Sequence, residues 1–165
     1  MSCTAGAGYK GVSDNFGSNL TYSKVVAMEE KVLLIDDERE FVFLLEGVLR
    51  KEGYAVVTAY DGEEGLDKAK IEKPDIIICD ITMPKKDGYG VLKDIRQGPG
   101  KNTPFVMLSG IDEFKKIEEA YDYEADFYIS KPVEMPILLR SVRVLLDVAR
   151  NRKTSEGGQD EKAQR

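Results

Sequence analysis

No histidine occurs anywhere in the 165 residues. That absence removes imidazole acid–base chemistry, imidazole metal ligands and any phosphohistidine carried on this chain. Cysteine is scarce: Cys3 sits in a polar leader and Cys79 in an apolar run, and without CxxC spacing they offer neither a disulfide framework nor a zinc site. Cys79 reads as a buried small hydrophobe. A basic excess is missing too. The net charge is −6 with 33% charged residues, so direct nucleic-acid binding by this chain is not expected, and an output through protein contacts is. No apolar stretch approaches the roughly 20 residues of a membrane span, and the N-terminus lacks the basic start and apolar core of a signal peptide. A cytoplasmic chain that makes no membrane contact is the expectation.

What is present suffices for one core: 42% of the residues are hydrophobic, enough for a single domain and too few for two. Residues 1–29, rich in Gly, Ser and Asn, read as a disordered N-terminal extension, or as sequence upstream of a start at Met28 rather than Met1. The end of the chain, residues 151–165, reads as a flexible tail or a truncated linker. The domain itself is placed at 30–150.

Within it, short apolar runs alternate with amphipathic segments. KVLLI (31–35), YAVVTA (54–59), DIIIC (75–79), PFVMLS (104–109) and DFYIS (126–130) are the strand candidates. Phe41, Leu44, Leu45, Val48 and Leu49 have the spacing of one helix face, with Gly53 placed to stop it. Asp61 and Glu64 have capping-box spacing, and Asp87 is placed to cap a third helix running to about Gln97. Further helices are expected from Asp112 to about Tyr121 and from Glu134 to about Arg150, the last with Leu138, Val142, Leu145 and Leu146 on one stripe. Continuous apolar strands, each followed by a helix, predict a parallel sheet buried on both faces, an α/β fold in three α/β/α layers. In such sheets the functional crevice lies beyond the carboxyl ends of the strands.

The polar residues at those ends are then the candidates. Asp36 and Asp37 follow the first strand, and Asp80 is placed just past the third. If the first and third strands are neighbours, three carboxylates meet in a partly desolvated place, where like charges demand a cation. Mg2+, a hard dication that keeps water positions open for a phosphate ligand, suits them. Ser109 closes the fourth strand and Lys131 follows the fifth, adding a hydroxyl and an ammonium. A carboxylate beside Mg2+ with those two donors is equipped to attack phosphorus and hold the phosphoryl oxygens, with Asp80 as nucleophile.

In VLLIDDE, DIIICDITMPKKDG, FVMLSG and YISKPV, taken in this order over roughly residues 30–150, the chain resembles the receiver domain of two-component response regulators, of the chemotaxis-regulator kind. The resemblance implies a flavodoxin-like (βα)5 fold with strand order 2-1-3-4-5. It implies a phosphoryl group accepted on Asp80 from a sensor histidine kinase or a histidine phosphotransfer protein. Mg2+ would be held by Asp37, Asp80 and the backbone carbonyl of Thr82, with Asp36 acting largely through water. Lys131 would contact the phosphoryl group, and Ser109 and Tyr128 would form the switch that changes the surface built by the fourth helix, fifth strand and fifth helix. The receiver would catalyse only its own phosphorylation and dephosphorylation, and would signal to a downstream protein or output domain. A homodimer on phosphorylation is a partner that the family pattern admits. The resemblance also implies a cis Lys131–Pro132 peptide. The chain departs from the pattern at Glu124, where a glycine commonly ends the fourth helix, and Thr82 stands at a variable position that tunes the phosphoryl lifetime.

Taken singly, these residues have plain readings: a helix cap and a surface acid for Asp36 and Asp37, a strand end for Asp80, a loop hydroxyl for Ser109, a solvated Lys131, a core Tyr128. Together those readings require several coincidences at one sheet edge. Two alternatives come from other classes. A haloacid-dehalogenase-type phosphatase also uses a strand-end Asp, but Thr82 stands where its second Asp should be. A non-phosphorylated pseudo-receiver scaffold would normally lack Asp36 or Asp37, Asp80 or Lys131, and all are here.

Overall fold

The five apolar runs form five strands: β1 (Lys31–Ile35), β2 (Ala55–Ala59), β3 (Ile76–Asp80), β4 (Phe105–Ser109) and β5 (Phe127–Ser130). All neighbouring pairs are parallel and the order is β2-β1-β3-β4-β5, as a flavodoxin-like fold requires. A computed structural model of the chain describes residues 29–110 and 125–156. The helix expected at 112–121 and Glu124 lie outside the described residues, as do residues 1–28. The described helices are α1 (Arg39–Lys51), α2 (Gly62–Glu72), α3 (Gly88–Gln97) and α4 (Met135–Glu156), the last being the one expected to follow the fifth strand.

The continuous apolar strands are explained by the core. Along β1, Val32 and Leu34 join one apolar cluster with Leu45 of α1 and Leu138 of α4, while Leu33 and Ile35 join another with Leu66 of α2 and Leu92 of α3. Successive side chains point to opposite faces, so a strand covered on both sides has no polar positions to spare. β3 and β4 alternate in the same way.

Several boundaries differ from the sequence reading. Asp80 is the last residue of β3, in register with Leu108, rather than the first residue beyond the strand. The ladder is continued by the Ile81 amide, which donates to the Leu108 carbonyl at 3.0 Å. On α1 the buried positions are Val42, Leu45 and Leu49, whereas Leu44 is 56% exposed. The apolar stripe is wider than the face that the sheet covers. Gly53, at φ +94°, ends α1 in the left-handed region open to glycine. Asp61 caps α2 by accepting from the Glu64 amide at 2.9 Å, but the Glu64 carboxylate reaches back to the Tyr60 amide, one residue before the cap. Asp87 caps α3 through the Gly90 amide at 2.8 Å. α4 continues past Arg150 to Glu156, because no glycine or proline interrupts residues 137–156.

Cys79 is fully buried, and its thiol is pushed well up by burial first and then by the carboxylates of Asp80 and Asp36. The thiolate is the reactive form. In the folded protein Cys79 is expected to stay unmodified by an aromatic disulfide reagent at pH 8, and to react when denaturant unfolds the chain. Absorbance at the released thiolate's band, read in a Cys3→Ser background so that only Cys79 can report, checks this.

Candidate functional site

Sheet order brings the acids together. β1 lies between β2 and β3, so the residues after β1 and at the end of β3 share one carboxyl edge, at the point where the chain reverses its direction of travel across the sheet. The Asp36 amide donates to the Ala59 carbonyl at 3.1 Å, and its Oδ1 accepts from the Glu38 amide at 2.9 Å, turning the chain into α1. Asp36 is thereby wholly buried, Asp80 is 5% exposed, and Asp37 stands exposed at the rim. Ligand oxygens of Asp36, Asp37 and Asp80 all lie within 4.8 Å of one another, a group able to hold a metal ion. Three carboxylate oxygens make a hard donor set that suits a hard dication.

The positive charge comes from the far side of the sheet. The Lys131 amide donates to the Ser109 carbonyl at 2.7 Å, which sets Lys131 at the height of the acids, and the Lys131–Pro132 peptide is cis. Its Nζ lies 2.8 Å from Asp36 Oδ2 and 2.9 Å from Asp80 Oδ1. Burial lowers the ammonium's pKa, but the bonds to Asp36 and Asp80 outweigh it and hold Lys131 above the ordinary lysine value. The ring of Phe41, on the first turn of α1, lies 5.0 Å below Nζ, a cation–π contact that helps aim it.

Ser109 is buried at the end of β4, its Oγ only loosely engaged with the Gly110 carbonyl at 3.4 Å. Tyr128 pairs in register with Met107 and is half-buried on the α2 and α3 side. Burial raises its phenol pKa, offset in part by a hydrogen bond with the Ala125 backbone. Because side chains alternate along β4, Ser109 shares that face with Met107. Thr82 is exposed in the loop between β3 and α3.

Two contributors carried no assignment in the sequence reading. One is Phe41, whose apolar spacing marked it only as core. The other is Gly88 in the Asp-Gly pair that opens α3: its amide donates to the Ile81 carbonyl at 2.8 Å, and a Cβ built there would lie 2.3 Å from the Asp80 carbonyl oxygen. Across the same loop, a Cβ on Gly62 would lie 2.4 Å from the Lys86 carbonyl, and Lys85 pairs with Asp61 at 2.6 Å. Both ends of the loop that carries Thr82 are therefore fastened.

Comparison with known proteins agrees with this geometry. The family model described as response regulator receiver domain matches residues 32–143. Over 106 residues, 64% of this chain, the sequence is 45% identical to the alkaline phosphatase synthesis transcriptional regulatory protein PhoP of Bacillus subtilis, of which the match covers 43%. The chain spans about half the length of the curated relatives it matches. Among solved structures, the chemotaxis protein CheY4 of Vibrio cholerae is 33% identical with a TM-score of 0.65, over 71% of this chain and 98% of that one. A CheY-like response regulator receiver domain protein from Methanospirillum hungatei is 26% identical with a TM-score of 0.70, over 75% of this chain and 98% of that one. No described helix is long and apolar enough to cross a membrane.

Proposed function

Because the chain belongs to the response regulator receiver family of two-component signalling, we propose that it accepts a phosphoryl group on Asp80 and signals by switching a protein-interaction surface. The observation that carries this reading is the meeting of Asp36, Asp37, Asp80 and Lys131 at one sheet edge, with Lys131 Nζ bonded to both buried acids. Mg2+ would be held by Asp37, Asp80 and the Thr82 carbonyl, with Asp36 contributing largely through water, and when bound it supplies positive charge to the phosphoryl oxygens.

The chain's own groups do the rest. An Asp80 carboxylate oxygen attacks phosphorus of a phosphoimidazole, the P–N bond breaks, and the donor imidazole leaves with its electron pair and takes up a proton. Lys131, already bonded to Asp80, turns to a phosphoryl oxygen. Ser109, weakly held in this state, donates its hydroxyl to another, and Tyr128 follows into the space it leaves. An added charge of about −1.5 to −2 with three acceptor oxygens is sufficient cause for such a shift. Water later breaks the acyl phosphate, so the receiver catalyses its own phosphorylation and dephosphorylation and turns over no other substrate. The donor would be a sensor histidine kinase or a histidine phosphotransfer protein in the cytoplasm. The recipient would be a downstream protein or an output domain, with homodimerisation on phosphorylation one form of that output. Residues 30–150 would form the receiver, between an extension at 1–29 and a tail or linker at 151–165.

Intact-protein mass after incubation with acetyl phosphate tests this. Mg2+-dependent gain of one acid-labile phosphoryl group is expected, with complete loss in Asp80→Asn. A folded native chain that gains nothing would move the pseudo-receiver reading to the front. A gain undiminished in Asp80→Asn would remove Asp80 from its role, and sustained release of phosphate from simple phosphoesters would favour the phosphatase.

A further inference from the structure

At the opposite edge of the sheet, beneath the starts of β3 and β4, lies a cavity of about 730 Å³ bounded by the carboxyl ends of α2, α3 and α4. It is on the order of 15 Å from the acids, the length of a five-residue strand. Its floor is apolar, built by Leu66, Ala69, Ile77, Ile95 and Pro104. Its volume falls in the range of small-molecule sites.

The rim carries Lys70, Lys73 and Arg152. Among the described residues no carboxylate pairs with Lys73 or Arg152, and Lys70 reaches only the exposed Asp67 at 3.8 Å. The two acids of the cavity are engaged elsewhere: Asp94 pairs with Lys86, and Asp75 Oδ2 accepts the Lys31 amide at 3.0 Å. Three cations thus line the cavity against two carboxylates, one of which is already paired with Lys86. Lys73 adds a second, independent oddity. It ends α2 at φ +48°, ψ +63°, the left-handed cap where glycine is the usual residue, directly before Pro74. A lysine in this left-handed conformation, at the lip of a cavity, points to use of that side chain.

We propose that this cavity binds a small amphipathic anion, a carboxylate or phosphate head on an apolar body, with the head between Lys73 and Arg152 and the body on the Leu66–Ile95 floor. The bland account is that these cations only complement the negative helix ends, and the test separates the two.

The full chain, 15N-labelled, would be titrated with octanoate, octyl phosphate, the neutral octanamide and inorganic phosphate, following backbone amide shifts. Saturable shifts confined to residues 70–77 and 98–105 are expected for octanoate and octyl phosphate, with octanamide about tenfold weaker and inorganic phosphate without effect. Whichever of the two heads binds tighter identifies the ligand class. The Lys73→Gln/Arg152→Gln pair should weaken octanoate about tenfold. Lys73→Gly is the decisive variant: it relieves the left-handed cap, so the melting temperature should rise while octanoate binding falls. A rise in melting temperature with unchanged binding would reduce Lys73 to a helix cap and overturn the proposal. So would equal binding of octanamide and octanoate, or shifts that never saturate.

Discussion

Lys131→Met is expected to lower folding stability in metal-free buffer by about 3 kcal/mol, the low end of the cost of breaking a buried pair because Nζ keeps some water. The reason is electrostatic. Lys131 bonds both Asp36, which is wholly buried, and Asp80, and without it two carboxylates face each other undersolvated. Added Mg2+ should restore much of the loss, because a cation that binds the folded state alone stabilises it by mass action. Denaturant unfolding of the native chain and the variant, each with and without Mg2+, measures both effects. If the acids keep their present neighbours, the same substitution should slow acetyl phosphate uptake about 10²–10³-fold, the usual cost of one lost donor to a developing oxyanion. The pH dependence has a definite sign. Because the folded-state pKa of Lys131 lies above 10.5, its contribution is complete below that value and disappears as pH rises through the folded value. The gap between native and variant stability should be flat from about pH 7 to 9 and close only on the alkaline side of the ordinary lysine value. A gap that closed near neutrality would mean that a different group neutralises the acids.

Gly88→Ala is the second large effect, and it concerns backbone rather than charge. The new Cβ would lie 2.3 Å from the Asp80 carbonyl oxygen and 2.9 Å from Ile81 Cα, so main chain must move. Overpacking of that kind costs about 3 kcal/mol. The strand end that must move carries Asp80, and a shift of about 1 Å in a reacting group costs roughly 10²-fold in rate. Phosphoryl uptake per folded molecule, with the folded fraction read by circular dichroism, separates the two losses. By contrast, Gly47→Ala meets nothing within 4 Å on exposed α1 and serves as the control, with unchanged uptake. Uptake that survived Gly88→Ala at the native rate would show that the loop absorbs the methyl without disturbing Asp80.

Much of this is legible in the sequence. The unbroken apolar runs of β1, β3 and β4 announced strands covered on both faces, and the polar residues after them announced the edge to inspect. Local chemistry also placed the caps, since Asp61 and Asp87 each accept from an amide three residues on. Less local matters were misread. Leu44 fits the apolar spacing of α1 yet stands exposed, because the sheet covers a narrower arc than the pattern offers. The apolar run alone puts Asp80 beyond its strand, but pairing with β4 rather than composition decides where a ladder stops.

By itself the sequence determined the element types, their order and the chemical kinds of group available: carboxylates, a strand-end ammonium, strand-end hydroxyls and no imidazole. Those follow from side-chain identity and from periods of two and 3.6 residues, which act over a few positions. Which of the groups touch was decided only by tertiary structure. Asp36 and Asp80 are 44 positions apart, and Lys131 lies 95 beyond Asp36, so their ion pairs exist because β1 packs beside β3 and β5 closes the far side of the sheet. The clearance that excludes a Cβ at Gly88, the ring of Phe41 beneath Lys131 and the cationic cavity under the sheet arise in the same way, from packing between segments distant in sequence.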